Sequence, residues 1–247
     1  MGVLCCGDAD NSATPEYEQA AGHSNTMQYS GNKLKKETRI TEAQNYELIF
    51  DDMTETSLRG LRPFVPHLYA VNDTGNPKMK EIVIENLLYG LENGSFIDLK
   101  LGTNTLTAGK QKNLVKKTTR DIVDVEVTTS HLLGYTVCGM NLKDPLTGKP
   151  RDGGKVKKRQ APKNSAEAEL YLENFFKYQG VPDKQGIRFC LVQLKKMLKY
   201  FKEENEHIIR GMSVFIVVDS AKKGYVCKLI DLVSFEHLPE EKRADRD

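Results

Sequence analysis

The alternation of apolar and polar residues predicts a β-rich first part of the chain. A turn signal at Ser30-Gly31-Asn32 separates two short strands, and Thr41 is predicted to cap a helix that runs to Phe50. The chain around Pro63 and Pro66 is predicted to be irregular. Strands are predicted at 26–29, 33–37, 82–85 and 95–101, with a strand pair around 133–140.

Two helices and a hairpin are predicted in the second part. Asn164 and Glu167 have the spacing of a capping box, and Gly180 and Pro182 end the helix that they begin. The next helix carries an apolar stripe at intervals of three and four residues, which predicts core packing. The stripe consists of Ile187, Leu191, Leu194, Leu198 and Phe201. Strands at 214–218 and 225–230 are predicted to pair as a hairpin.

A β-rich start followed by a mixed larger part predicts an α+β fold with two lobes. The 247 residues are enough for one large domain or two small lobes. Lys and Arg number 36 against 34 Asp and Glu, and the net charge of +2 argues against a histone-like partner. The longest apolar run, 214–218, is far shorter than the roughly 20 residues that cross a bilayer.

The N-terminal segment, 1–25, is predicted to be a disordered tail with sites for lipids. Gly2 fits the N-myristoylation pattern, although that pattern asks for Ser or Thr where the chain has Cys6. Cys5 and Cys6 could accept palmitate and supply the second lipid of a stable anchor. The alternative is a tail with two idle thiols. The five cysteines include no CxxC pair and indicate no disulfide framework, so we expect a cytoplasmic protein. Lipids on Gly2, Cys5 and Cys6 would associate it with membranes.

Asp98 and Lys100 are the first candidates for chemistry. In a strand they share one face, while Ile97, Leu99 and Leu101 point to the other. A carboxylate beside an ammonium can hold a hydroxyl nucleophile next to an anionic group. The alternative is an ordinary surface ion pair, worth at most about 1 kcal/mol.

Two further carboxylates are candidates. Asp231 ends an apolar strand, where a carboxylate suits Mg²⁺, and the alternative is a residue that begins a turn. Lys35 lies on the second strand and Glu42 on the helix after it. A lysine held by a helix glutamate is the phosphate-binding pair of protein kinases, and the alternative is two solvated charges.

Taken in order, these segments resemble the inositol polyphosphate kinase family. The family pattern P-x-x-x-D-x-K-x-G is matched by Asp98, Lys100 and Gly102, with Gly94 in place of proline. Thr136 stands where the S-T-S-x-x-x-G-x-R-x-C-G-M pattern, matched at 128–140, has arginine. The segments 213–215, 230–232, 31–36 and 42–47 resemble the S-L-L and I-D-F motifs, the lysine strand and the E-x-x-F-Y-E helix.

The resemblance implies a two-lobed kinase-like fold with a small β-rich N-lobe, a larger mixed C-lobe and ATP in the cleft. The N-lobe and hinge would span 26–87, and the C-lobe 88–247. It also implies a role for each candidate. Asp98 and Lys100 would be catalytic, and Lys35 would bind the ATP phosphates. Backbone groups of Glu85 and Leu87 would bind adenine, and Asp231 with Ser213 would bind Mg²⁺.

Blocks of basic residues favour a polyanionic substrate. Six basic and no acidic residues lie between 100 and 120, and Lys110, Lys116 and Lys117 are assigned to the substrate with Lys100. The segment 142–163 is predicted to be a basic mobile loop of the same site, or simply a solvated loop. Few aromatic residues interleave with these lysines, so no nucleic-acid partner is expected.

Within the family, the chain is most similar to inositol hexakisphosphate kinases, which make diphosphoinositol phosphates. A multikinase or trisphosphate kinase is the alternative reading. Family members continue beyond the I-D-F motif into a further C-terminal segment, whereas this chain stops at Asp247. A third alternative is therefore a catalytically weak sensor that binds inositol phosphates. A monomer is expected.

Overall fold

The computed structural model describes residues 27–54, 56–91, 93–102, 129–157 and 162–238. The N-lobe is a four-stranded antiparallel sheet in the order β1-β2-β4-β3. Its strands are β1 (Met27–Ser30), β2 (Lys33–Arg39), β3 (Leu68–Asp73) and β4 (Met79–Glu85). Helix α1 (Ile40–Phe50) follows β2 and buries Ala43, Tyr46 and Ile49. No helix among the described residues is long and apolar enough to cross a bilayer.

The C-lobe is built on a five-stranded antiparallel sheet in the order β12-β11-β5-β6-β7. Its strands are β5 (Ser95–Leu101), β6 (Tyr135–Lys143), β7 (Pro150–Lys157), β11 (Ser213–Asp219) and β12 (Gly224–Ile230). Strand β5 lies at the centre of the sheet, and Phe96, Ile97 and Asp98, which point to alternate faces, are all buried, so the first half of β5 is covered on both faces.

Helices and two short ribbons complete the fold. The helices are α2 (Thr56–Arg59), a 3-10 helix (Arg62–Phe64), α3 (Ser130–Leu133), α4 (Ser165–Phe176) and α5 (Lys184–Glu203). Strands β8 (Lys177–Tyr178) and β9 (Val181–Pro182) form one ribbon, and β10 (His207–Arg210) and β13 (Ser234–His237) form the other.

Local chemistry explains several confirmed predictions. Asn164 caps α4 by accepting a hydrogen bond from the Glu167 amide at 2.9 Å, and the Lys163 amide donates to the Glu167 carboxylate, also at 2.9 Å. The predicted hairpin is the β11–β12 pair, and the strand predicted at 95–101 is β5.

Other predictions are wrong. Thr41 does not cap α1, because the helix already begins at Ile40 and its N-cap, Arg39, makes no side-chain cap bond. The basic loop predicted at 142–163 contains β7, which pairs with β6 although Gly153 and Gly154 weaken the strand pattern. Around 133–140, a helical turn, α3, and one long strand, β6, replace the predicted strand pair.

Three of the five residues in the apolar stripe predicted for the second helix lie outside the core, whereas Phe201 packs against it. Helix α5 instead buries Gly186, Cys190, Met197 and Tyr200, while Leu191, Leu194 and Leu198 face outward. Periodicity gives the presence of an apolar face but not the element against which it packs.

Candidate active site

Strand β5 places Asp98 and Lys100 on the same face of the C-lobe sheet, as predicted. Across the neighbouring strand β11, Phe215 lies opposite Asp98 and Ser213 lies opposite Lys100. Directly opposite residues of an antiparallel pair point to the same side, so all four side chains share this face. On the other neighbour, β6, Gly139 lies opposite Asp98 and leaves space beside the carboxylate.

The carboxyl group of Asp98 is buried and poorly paired. Its Oδ1 atom and the Ser213 hydroxyl oxygen are both inaccessible to solvent and lack a well-aligned hydrogen-bond partner in the described part of the chain. Desolvation, with repulsion from Asp231, raises the pKa of Asp98 to about 6, although the nearby Ser213, Lys100 and Lys36 oppose the rise. Buried groups left without partners often mark a place where a ligand binds.

A buried ion-pair cluster joins the two lobes beside this face. The Lys36 ammonium donates to Glu42 Oε1 and to Asp231 Oδ1, both at 2.8 Å. Solvent reaches only 15% of the Lys36 side chain and 6% of that of Glu42. Thr38 donates a further hydrogen bond to the second Glu42 oxygen. Burial alone would lower the pKa of Lys36, but attraction to Asp231 and Glu42 outweighs it and raises that pKa.

The predicted pairing of Lys35 with Glu42 is wrong by one residue. Lys35 is exposed, because side chains alternate along β2 and only Leu34, Lys36 and Thr38 turn inward. Sequence reasoning therefore missed Lys36. The available signal was that the apolar Leu34 fixes the inward face, and Lys36 lies two residues further along it.

Asp231 directs its carboxylate into the cleft through an unusual backbone. Its φ of 61° lies in the left-handed region, which side-chain-bearing residues rarely adopt and which clusters at functional sites. Burial would raise the pKa of Asp231, but the ammonium groups of Lys36 and Lys100 lower it overall. Asp231 is therefore an anion, with 35% of its side chain still open to solvent.

Lys100 completes the charged end of the face. Its ammonium donates to the Gly211 carbonyl, which leaves two of its three protons for other acceptors. Thr136, at the position of the family arginine, lies opposite Lys100 in the β5–β6 register. The Thr136 hydroxyl is buried and has no partner within the described residues.

The other end of the face is apolar and leads to the hinge. Phe96 and Phe215 pack with ring centroids 5.6 Å apart, and Leu88 and Val217 join the same cluster. This cluster is core, with Phe96 3%, Leu88 8% and Val217 0% exposed, and it supports the charged end of the face from below.

The hinge segment follows β4. Asn86 is buried, and its amide side chain donates to the Gly31 carbonyl at 2.8 Å. The Glu85 N–H already donates to the His67 carbonyl at 2.8 Å, whereas the Leu87 N–H has no partner among the described residues. Of the two predicted hinge residues, only Leu87 has an N–H group available for a ligand.

Several predicted residues lie outside the described ones. These are the substrate lysines Lys110, Lys116 and Lys117 and the lipid sites Gly2, Cys5 and Cys6.

A model of the inositol polyphosphate kinase family matches residues 81–247. This range is more than half of the chain and contains Asp98, Lys100, Ser213 and Asp231, while Lys36 precedes it. No curated protein matches the chain.

Solved structures show the same fold. Inositol phosphate multikinase Ipk2 from S. cerevisiae, in complex with ADP and Mn²⁺, is 22% identical, covers 85% of this chain and 91% of its own, and superposes with a TM-score of 0.61. Another inositol phosphate multikinase structure is 19% identical, covers 79% of this chain and 88% of its own, and has a TM-score of 0.62. The predicted α+β two-lobed kinase-like fold is confirmed.

A buried lysine and two carboxylates at the edge of a cleft between two lobes are the groups that a phosphotransferase uses. The family match is more specific. The chain belongs to the inositol polyphosphate kinase family, and it is an inositol polyphosphate kinase.

Proposed function

We propose that the protein transfers the γ-phosphate of ATP to inositol hexakisphosphate and forms a diphosphoinositol phosphate. The observation that supports phosphoryl transfer is the convergence of Lys36, Asp98, Lys100 and Asp231 beside one face of the C-lobe sheet. The choice of inositol hexakisphosphate as acceptor rests on the resemblance of the segment from Asp98 to Gly102 to hexakisphosphate kinases.

Each residue has a role that follows from its position. Lys36, rather than Lys35, would bind the ATP phosphates, because only Lys36 reaches the cleft. The free N–H of Leu87 would donate to adenine. Lys100, with two protons to spare, would hold a phosphate of the inositol substrate.

The residues present fit a hard divalent cation, and we propose Mg²⁺. The Asp231 carboxylate and the buried Ser213 hydroxyl would hold it, since both offer oxygen. The described residues contain no group of three or more His, Cys, Asp or Glu placed to hold a metal, and Mg²⁺ typically keeps few protein ligands and takes the rest from phosphates and water. Bound there, the metal ion would neutralise charge on the transferred phosphate.

Asp98 would accept a proton from the attacking group. As the acceptor oxygen bonds to the γ-phosphorus, the bond from that phosphorus to the bridging oxygen breaks and ADP leaves. Inositol hexakisphosphate has no free hydroxyl, so the proton that passes to Asp98 comes from a monoprotonated phosphate; with a trisphosphate it would come from a hydroxyl. A pKa of about 6 suits this exchange, because a phosphate monoester also titrates near pH 6.

The acceptor is tested by direct transfer assays. Purified protein, ATP and Mg²⁺ are combined with inositol hexakisphosphate or inositol trisphosphate, and the products are separated by ion-exchange chromatography. Faster conversion of the hexakisphosphate supports the proposal. Faster conversion of the trisphosphate would favour a multikinase, the second candidate, which is supported by the two multikinase structures. Binding of both without transfer would indicate a sensor. Asp231→Asn is the control that should lack activity, because an amide cannot neutralise the metal ion.

Lys100→Ala is expected to lower kcat/KM for the inositol phosphate about ten- to a hundredfold. A charge-assisted phosphate contact is worth roughly 1.5–3 kcal/mol, and alanine removes it. ATP affinity, measured by calorimetry, should change little because Lys36 and Leu87 remain. The matched control is Lys222→Ala, since Lys222 also donates to a carbonyl, that of Gly90, at 3.0 Å. Equal kinetics for the two variants would make Lys100 a structural residue.

We further propose that the protein is cytoplasmic and reaches membranes through lipids on Gly2, Cys5 and Cys6. A fluorescent fusion of the whole chain should lie at membranes in cells, and Gly2→Ala should release it. A wild-type fusion spread evenly through the cytosol would contradict acylation.

A further inference from the structure

The outward side of α5 exposes an apolar row that the core does not use. The exposed fraction is 52% for Leu191, 36% for Leu194 and 55% for Leu198. Single exposed leucines are common, but these three recur at intervals of three and four residues and so line one side of the helix. Val181, three residues before the helix, is 68% exposed as well.

A row of cations runs beside the leucines. Helix α5 has six Lys and Arg residues against one acidic residue, Glu203, which gives it a net charge of +5. Five of them lie along one flank, at Lys184, Arg188, Lys195, Lys199 and Lys202. Among the described residues, only Lys199 has an acidic partner, Glu203, at 3.7 Å. The positive charge of this flank is therefore largely unneutralised within the described part of the chain.

We propose that this face, Leu191, Leu194 and Leu198 with the flanking cations, docks on a membrane that contains anionic lipids. Leucines beside Lys and Arg are the pattern of helices that lie in the membrane interface, where the leucines enter the acyl boundary and the cations meet the headgroups. The inference concerns a surface, and it holds whichever inositol phosphate the kinase uses.

Charge selects the membrane over a second copy of the chain. Two α5 helices meeting face to face would bring +5 against +5, and like charges oppose such contact. An anionic bilayer supplies a continuous negative surface instead. The N-terminal segment points the same way, because one acyl chain is a marginal anchor and a basic patch is the kind of second signal that makes it stable.

The experiment uses the full chain produced in bacteria without acylation, so that α5 acts alone. Protein is sedimented with vesicles of phosphatidylcholine, or of phosphatidylcholine mixed with phosphatidylserine. We expect binding to the mixed vesicles only, weakening as salt is raised. Leu191→Glu with Leu198→Glu, and separately Lys195→Glu with Lys202→Glu, should each reduce binding at least about tenfold.

Matched controls keep the result specific. Leu146→Glu and Lys78→Glu introduce the same changes at exposed positions away from α5 and should leave binding unchanged. Transfer to a soluble inositol phosphate, without vesicles, should be the same in all variants, which shows that they fold. The proposal is overturned if neither vesicle sediments the protein, if the α5 variants bind as well as the controls, or if light scattering shows a dimer that Leu191→Glu dissociates.

Discussion

Asp98→Asn is expected to abolish most transfer while making the protein more stable at neutral pH. An asparagine cannot accept the proton of the attacking oxygen, and losing such a group typically costs about a hundred- to ten-thousandfold in rate. Measured as kcat with saturating ATP, the wild-type rate should rise with pH through about 6, as Asp98 loses its proton.

The stability gain follows from the direction of the pKa shift. Asp98 has a pKa of about 6 in the fold against 3.8 in a free chain, so the native state binds its proton more tightly than the unfolded state. The wild type therefore loses stability as pH rises from about 4 to 6, by up to about 3 kcal/mol. Asparagine avoids this cost. In urea unfolding at pH 8, we expect the free energy of unfolding of Asp98→Asn to be about 1–3 kcal/mol higher than that of the wild type.

This gain in stability should largely disappear near pH 4, because Asp98 is then mostly protonated in the folded wild type and about half protonated in the unfolded one. Asp73→Asn is the control, because Asp73 is exposed, its ion-pair partner among the described residues is Lys80, and the change should alter stability by less than about 0.5 kcal/mol. A variant that keeps more than about a tenth of the rate would show that Asp98 is not the proton acceptor.

Lys36→Met is expected to destabilise the fold and to inactivate the enzyme together. Removing the ammonium leaves Glu42 buried without its cation, and breaking a buried pair in this way costs about 3–5 kcal/mol. ATP affinity should fall as well, because Lys36 is the lysine that reaches the cleft. Urea unfolding and calorimetry measure the two effects.

A second variant separates them. Lys36→Met with Glu42→Gln removes the unpaired carboxylate and should recover most of the stability without recovering activity. Lys35→Met is the matched control one residue away. Its exposed side chain predicts near-wild-type behaviour, and similar losses from both lysines would contradict the assignment of Lys36.

The sequence predicts the chemistry of the site better than its register. Asp98, Lys100 and Asp231 can be found from the sequence because each is a charged residue within or directly after a short apolar strand, a signal that lies entirely in neighbouring residues. The choice between Lys35 and Lys36 depends on the facing of β2, and a shift of one residue moves a side chain to the other face. The partner that fixes it, Asp231, lies 195 positions away and is visible only in the fold.

Helix α5 shows a different limit. Its leucines have the spacing of a core stripe, yet the core takes the side with Gly186, Cys190 and Met197. Gly186 fits there because a Cβ would lie 2.9 Å from the Tyr225 ring, and the buried side also carries the apolar Met197 and Tyr200. The sequence does not predict β7 for a related reason. Its glycines give no alternation of apolar and polar side chains, and the strand forms through pairing with β6.

The segment that carries Asp231 is held from the opposite lobe. Lys36 grips the Asp231 carboxylate, and the Asn45 amide of α1 donates to the next carbonyl, that of Leu232, at 2.7 Å. Because these contacts join the N-lobe to the C-lobe, unfolding of either lobe breaks an ion pair and a hydrogen bond of the other. Heat should therefore unfold both lobes in a single cooperative transition, and substitutions in α1, far along the chain from residue 231, should loosen the Asp231 end of the cleft.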